Sequence, residues 1–275
     1  MLTSRPPGRI WLEPSAGPGF GPSRPAGLNQ WMKRPAVRPG ALQIRRIERH
    51  PQAELADSQW PATIPAIAQL LRDGLDLTPV TVLVGENGSG KSTLVEAVAQ
   101  AYGLSPEGGS IHARHSTRPT ESPLSENLQL SRSGGAARWG FFLRAETMHG
   151  LYTYLENLDG QPDPTFHEVS HGESFLAVLR ARFNSPGLYL LDEPESALSF
   201  SACLGLIGVL HDLVQEGTSQ VLLATHSPVV AAMPGARILQ FDDHGFHETA
   251  WEELELVQHY RSFLAEPMRY LRHVI

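Results

Sequence analysis

Eight consecutive residues, Gly85-Glu86-Asn87-Gly88-Ser89-Gly90-Lys91-Ser92, follow the pattern G-x-x-x-x-G-K-[ST], with Thr93 next in the chain. Each residue type has a physical use in that order. Glycines let the backbone turn its N–H groups inward around a bound phosphate chain. Lys91 supplies a point charge for β and γ phosphates, and the Ser92 hydroxyl can ligate Mg²⁺. A helix starting here would add its dipole. The pattern therefore predicts a nucleotide phosphate cradle. The chain then runs 101 residues from Lys91 to Asp192-Glu193-Pro194, reached through four apolar residues. A buried strand ending in an acidic pair suits the facing wall of such a site, with Asp192 holding Mg²⁺ through water and Glu193 polarising the attacking water. A strand that ends in solvated acids is the plainer alternative, and the phosphate loop weighs against it. A further 34 residues on, Val221-Leu222-Leu223-Ala224 leads into Thr225-His226-Ser227. His226, at a strand end, can donate a hydrogen bond to a γ-phosphate or to the attacking water. His112, His115, His211 and His259 read as structural, and His112 with His115 alone makes no metal site.

These groups must be held by alternating strands and helices. Val80-Thr81-Val82-Leu83-Val84 is a β-branched run of the kind buried on both faces. Leu94, Val95 and Val98 follow the phosphate loop at helical spacing. Residues 64–73 predict a helix with Ile64, Ile67, Leu70 and Leu71 on one face. Leu42 and Ile44 alternate with polar neighbours as in an edge strand, and order is expected from about Ala41. Gly140–Glu146, Leu188–Leu191, Val221–Leu223 and Ile238–Leu239 read as further strands. Phe175, Leu176, Leu179 and Phe183 mark one helix face; Leu204, Ile207, Leu210 and Val214 mark another, which Gly217 can terminate. Val257, Tyr260 and Leu264 predict a C-terminal helix, and a last one starts at Pro267 with Met268, Leu271 and Ile275 in register. The expected class is α/β: a P-loop NTPase with a mostly parallel sheet and helices on both faces. Residues 104–138 have no clear period and predict an irregular or partly helical insertion.

Composition sets the outer limits. The 275 residues are 41% hydrophobic and 19% charged, enough for a sizeable core. No apolar run reaches the roughly 18–20 residues that a membrane-spanning helix needs, so no membrane span is expected. The single cysteine, Cys203, rules out an internal disulfide and a multi-cysteine zinc site, and points to a reducing, cytoplasmic setting. Residues 1–40 hold eight prolines and six glycines and are expected to be a disordered tail. Residues 1–50 carry a net +7 within a chain of −7, leaving −14 on the remaining 225. An acidic body is a poor footprint for gripping phosphate backbones, so nucleic acid is not indicated as a partner.

Taken together, the chain from about Ala41 to Ile275 resembles an ABC-type ATPase domain, and closely resembles the predicted bacterial AAA-domain ATPases whose catalytic core is ABC-like. Ser170-His171-Gly172-Glu173 resembles the family's signature with His171 in place of its first glycine, and lies 22 residues before Asp192. The same four residues also fit a helix capping box. Asp192-Glu193-Pro194-Glu195-Ser196-Ala197-Leu198 resembles the second carboxylate motif running into the D-loop. His226 falls at the switch-histidine position, and Glu146 stands where the Q-loop glutamine is usual. The resemblance implies Mg²⁺ with ATP, Glu146 as a further approach to the metal, and ATP preferred over GTP. Trp60 is the adenine-stacking expectation.

The resemblance also implies a head-to-tail homodimer in which ATP at Lys91 of one protomer meets Ser170 and Gly172 of another, closing on ATP and opening on hydrolysis. The expected function is a soluble, dimerising ATPase that couples nucleotide state to an unidentified protein partner. One alternative is the ATP-binding subunit of a transporter; the insertion, Glu146 and the altered signature count against it. Another is a slow ATP-gated binding module, against which the presence of Glu193 counts. The DNA-repair and chromosome-maintenance ATPases need long coiled-coil arms, and no heptad run fits between Lys91 and Asp192.

Overall fold

Strand placement follows from where β-branched and apolar runs can be covered on two sides. The computed structural model describes residues 40–106, 108–110, 122–144, 179–180, 183–196, 198–272 and 274. The expected tail, Glu146, Ser170–Glu173, Phe175 and Leu176 lie outside the described residues. The apolar runs become strands β3 (Val80–Gly85), β6 (Gly140–Arg144), β7 (Leu188–Asp192), β8 (Gln220–Thr225) and β9 (Arg237–Asp242). With β4 (Gly109–Ser110) and β10 (Gly245–Glu248) they form a seven-stranded sheet in the order β10-β9-β3-β8-β7-β6-β4. The five inner strands are parallel, and only the two outer pairs, β10 with β9 and β4 with β6, are antiparallel.

Side chains alternate across this sheet. Leu83, Leu190 and Leu222 point into one core with the helices α1 (Pro65–Asp73) and α2 (Lys91–Tyr102). Val82, Val84, Leu191 and Leu223 point into a second core with α3 (Phe200–Gln215), α4 (Pro228–Ala231) and α5 (Glu255–Ala265). This is the mostly parallel α/β arrangement with helices on both faces that the sequence predicts. Pro65 opens α1, where its missing N–H costs nothing. Its buried residues are Ala66, Ile67, Leu70 and Leu71; of the predicted face, Ile64 is the half-buried residue just before the helix.

Four expectations need correction. The predicted edge strand at Leu42–Ile44 is not one; the strand is β1 (Arg46–Arg49), in a separate antiparallel sheet between β2 (Leu75–Asp76) and β5 (Leu128–Ser131). A side chain takes the place of a pairing strand at Ile44: Gln220 accepts from its N–H and donates to its carbonyl, both at 2.8 Å. The predicted insertion 104–138 supplies β4, a short 3₁₀ turn at Ser125–Asn127, and β5. Those strands are too short for a visible period. In α3 the buried face is Ala202, Cys203, Leu206, Val209, Leu210 and Leu213, while Leu204 is half exposed. The helix is apolar nearly all round, so more than one stripe fits its spacing. At the C-terminus Val257 is buried, but Tyr260 and Leu264 are exposed, and α6 (Met268–Leu271) is a single turn with Met268 and Leu271 exposed. Tyr270 there packs on His259 and Phe263 with ring centroids 6.1 and 5.9 Å apart.

Candidate functional site

Parallel register brings the carboxyl ends of β3, β7 and β8 to one edge. Val84 is level with Thr225 and Asp192 with Ala224, so the residues that follow those strands emerge side by side. The chain leaves β3 for β4 and β6, returns through β7 and β8, and crosses over β3 to β9. A crevice beyond the carboxyl ends, where strand order reverses, is where open α/β sheets bind ligands.

The phosphate loop spans the end of β3 and the start of α2. Gly90 sits at φ 99° as the residue before α2, and a Cβ there would lie 2.9 Å from Ile64 Cγ2. Gly85 needs its bare backbone for another reason: a Cβ would overlap the Phe241 carbonyl oxygen of β9. Lys91 is buried at 2% exposure, and its ammonium donates to the Gly85 and Glu86 carbonyls at 2.9 Å each and to Ser89 Oγ at 3.4 Å. Asn87, Gly88, Ser92 and Thr93 line a cavity of about 300 Å³, together with Gly90 and Lys91. Trp60 and Ile64 wall it on one side, and Glu193 and His226 on another. Six of the nine expected loop residues thus share one cavity with Glu193 and His226.

Burial and charge tune the groups around it. Burial lowers the Lys91 ammonium pKa, and the charges of Glu193, Asp192 and Glu195 pull it back up. Asp192 is 6% exposed, and burial pushes its carboxyl up to about 6, opposed by a hydrogen bond from Ser92 and by the Arg144 charge. Arg144, level with Asp192 on the neighbouring strand, pairs with Glu96 of α2 at 3.2 Å. Asp192 Oδ1 is buried with no protein hydrogen-bond partner among the described residues. Glu193 has φ 49°, unusual for a residue with a side chain, and its N–H donates to the Ala224 carbonyl at 2.9 Å. His226 Nε2 lies 3.0 Å from Glu193 Oε1, but the two are not aligned as a hydrogen bond.

The motif residues Asp192, Glu193, Ser92 and His226 converge as expected. The expected Glu146 and the signature-like Ser170, His171, Gly172 and Glu173 lie outside the described residues, so their places are not part of this geometry. Two features were not assigned from sequence. The Arg144–Glu96 pair beside Asp192 is formed across two elements, and no local pattern announces it. Glu195 accepts hydrogen bonds from Thr225 and from the backbone of His226 and Ser227. Its sequence signal is its place in the segment Asp192–Leu198 that resembles the second carboxylate motif, which assigns it no role.

Relatives of known description match much of this chain. The family model described as "ABC transporter" matches residues 74–196. The Aliphatic sulfonates import ATP-binding protein SsuB 3 of Paraburkholderia xenovorans is 31% identical over 216 residues, covering 73% of this chain and 83% of that protein. SsuB 1 of Nocardia farcinica, of the same description, is 33% identical over 181 residues, covering 62% and 71%. Among solved structures, the SMC head domain from Thermotoga maritima overlaps with a TM-score of 0.42 at 14% identity, covering 76% of this chain and 98% of that one.

Proposed function

Because this chain belongs to the ABC transporter ATP-binding family, we propose that its cavity binds ATP with Mg²⁺ and that hydrolysis there drives a change in a partner. The chain is an ATP-binding P-loop ATPase. The observation that carries the detailed reading is the convergence of Lys91, Ser92, Glu193 and His226, from three strand ends, on one cavity.

The donor set fits a hard cation. Ser92 and the buried, unpartnered Oδ1 of Asp192 are oxygen ligands, and Mg²⁺ is commonly held by one or two protein oxygens with substrate phosphates and waters completing the shell. When bound, the ion neutralises charge developing on the phosphates. The chain's own residues supply the rest. The backbone of Gly85–Thr93 cradles the phosphates, with Lys91 leaving the Gly85 and Glu86 carbonyls to meet them. Glu193 takes the proton of the attacking water, and His226 donates to the γ-phosphate or that water. Trp60, exposed at the cavity mouth, stacks on the adenine. Residues 41–275 form the ATPase domain.

Ser170, His171, Gly172 and Glu173 meet the ATP of a second copy in an ATP-dependent head-to-tail dimer, and Glu146 approaches the metal. The primary reading is a stand-alone coupling ATPase. A second, the ATP-binding subunit of a transporter, has equal support from the relatives, which are described as import ATP-binding proteins. Among the described residues no helix is long and apolar enough to cross a membrane.

The test is single-turnover hydrolysis with equilibrium ATP binding. Glu193→Gln should keep ATP binding and lose turnover by about 10²-fold or more, the size of a general-base contribution. Lys91→Ala should weaken binding itself. Equal turnover in Glu193→Gln and wild type would remove Glu193 from the role of base.

A further inference from the structure

Resting on that ATPase reading, we propose that Glu195 is a positioning residue that fixes the turn carrying His226 and so aims the imidazole at Glu193. One atom does most of this. Glu195 Oε1 accepts from Thr225 Oγ1 at 2.6 Å, from the His226 N–H at 2.7 Å and from the Ser227 N–H at 3.1 Å. Bonds to an ionised acceptor are shorter and stronger than neutral ones. Two of the three donors are backbone groups of the histidine and its successor, so the grip is on the main chain that carries the ring.

The turn is also closed on itself. Thr225 is fully buried, and its hydroxyl accepts from the Ser227 N–H at 2.9 Å while donating to Glu195. Ser227 Oγ then caps α4 by accepting from Val229 and Val230 at 3.2 and 3.3 Å. On the other side, the Glu193 N–H binds the Ala224 carbonyl at 2.9 Å, and the Ser196 N–H closes a turn onto the Glu193 carbonyl at 3.1 Å. The segment 193–196 is therefore stitched to the end of β8 twice, through the Glu193 backbone and through the Glu195 side chain. An imidazole has two rotatable bonds, and its tip is placed only when its backbone is placed. The outcome is a contact of 3.0 Å between His226 Nε2 and Glu193 Oε1. The Glu195 hydrogen bonds go to the turn that carries His226, while its charge also reaches Lys91, an influence that Glu195→Gln removes without removing the acceptor.

The test uses the full chain and measures kcat, KM for ATP and thermal midpoint for Glu195→Ala, Glu195→Gln, Thr225→Val, His226→Ala and Glu195→Ala with His226→Ala. Glu195→Ala should lower kcat by about 10-fold or more while KM stays within about 3-fold, because the loss is in the reacting geometry. In the His226→Ala background the same change should matter by less than about 2-fold, since both act through one group. Glu195→Gln retains an acceptor at Oε1 and should recover most of kcat, which a role based on general stability would not explain. If Glu195→Ala does not fold, Thr225→Val removes one hydroxyl from the same network and carries the same comparison with His226→Ala. Effects of Glu195→Ala and His226→Ala that multiply, or a Glu195→Gln as impaired as Glu195→Ala, would overturn the proposal. An inactive wild type would instead bring down the ATPase reading, and this role with it.

Discussion

Asp192 shows what it costs to hold a carboxylate inside a sheet. Burial raises its pKa to about 6, against an ordinary carboxylate value near 3.9. The folded state therefore holds the proton more tightly than the unfolded chain. The stability this brings is present below the ordinary value and is lost as pH rises from there through about 6. Above that pH, the ionised Asp192 weakens the nucleotide-free fold by about 2–3 kcal/mol at most. Asp192→Asn should then raise the thermal midpoint in EDTA at pH 8 by about 3–8 °C and leave it nearly unchanged at pH 4. It should also abolish Mg²⁺-dependent turnover. Calorimetry at the two pH values checks the sign, and an Asn variant no more stable at pH 8 would show that Asp192 carries no such burden. Lys91 is the complementary case. Burial lowers its ammonium pKa, and the charges of Glu193, Asp192 and Glu195 oppose that shift.

Among the elements, Gln220 ties β8 to the segments that lead into β1 and β3. At the first position of β8 it accepts from the Ile44 N–H, donates to the Ile44 carbonyl and donates to the Thr78 carbonyl at 3.0 Å. Gln220 is 1% exposed and Ile44 fully buried, so the two Ile44 groups cannot turn to water instead. Gln220→Ala should destabilise the chain by about 2–4 kcal/mol, because two buried backbone groups and the half-buried Thr78 carbonyl lose this partner. Urea unfolding checks this, and Gln220→Leu separates the polar loss from the loss of volume: it should be nearly as unstable. Turnover per folded molecule should be unchanged, since Gln220 stands at the opposite end of β8 from Thr225.

For the molecule as a whole, the nucleotide is expected to act at two surfaces. Trp60, 58% exposed at the cavity, is placed to take the base while the loop takes the phosphates. Trp60→Ala should weaken ATP binding by about 10-fold, in line with a base–aromatic stack of 1–3 kcal/mol. Binding of tripolyphosphate, which has no base, should not change. The trans contact predicts that Glu193→Gln doubles its mass in solution when MgATP is added and returns to monomer when it is removed. Light scattering reads this directly. A monomer with ATP bound would mean that another subunit completes the site, which would favour the transporter reading.

Periodicity and motif spacing determined much of this chain. The β-branched run before Gly85, the glycines and Lys91-Ser92 after it, and the apolar strand ending at Asp192-Glu193 are local patterns. Each can be read without neighbours, because a buried parallel strand and a phosphate loop impose their residue types within a few positions. The α/β class and most of the phosphate site were legible on that basis. What tertiary structure decided is whatever depends on residues far apart in the chain. Ile44 looked like part of a strand, but a glutamine 176 residues later supplies its pairing. The apolar α3 offered several stripes, and packing against the sheet chose the one with Ala202, Cys203 and Leu206. Tyr260 and Leu264 fit a buried helix by spacing, yet no described layer covers them. Glu195 and Thr225 are 30 positions apart and meet only because β7 and β8 lie side by side in register. Hydrophobic spacing states which residues can be buried; sheet order and register decide which of them meet.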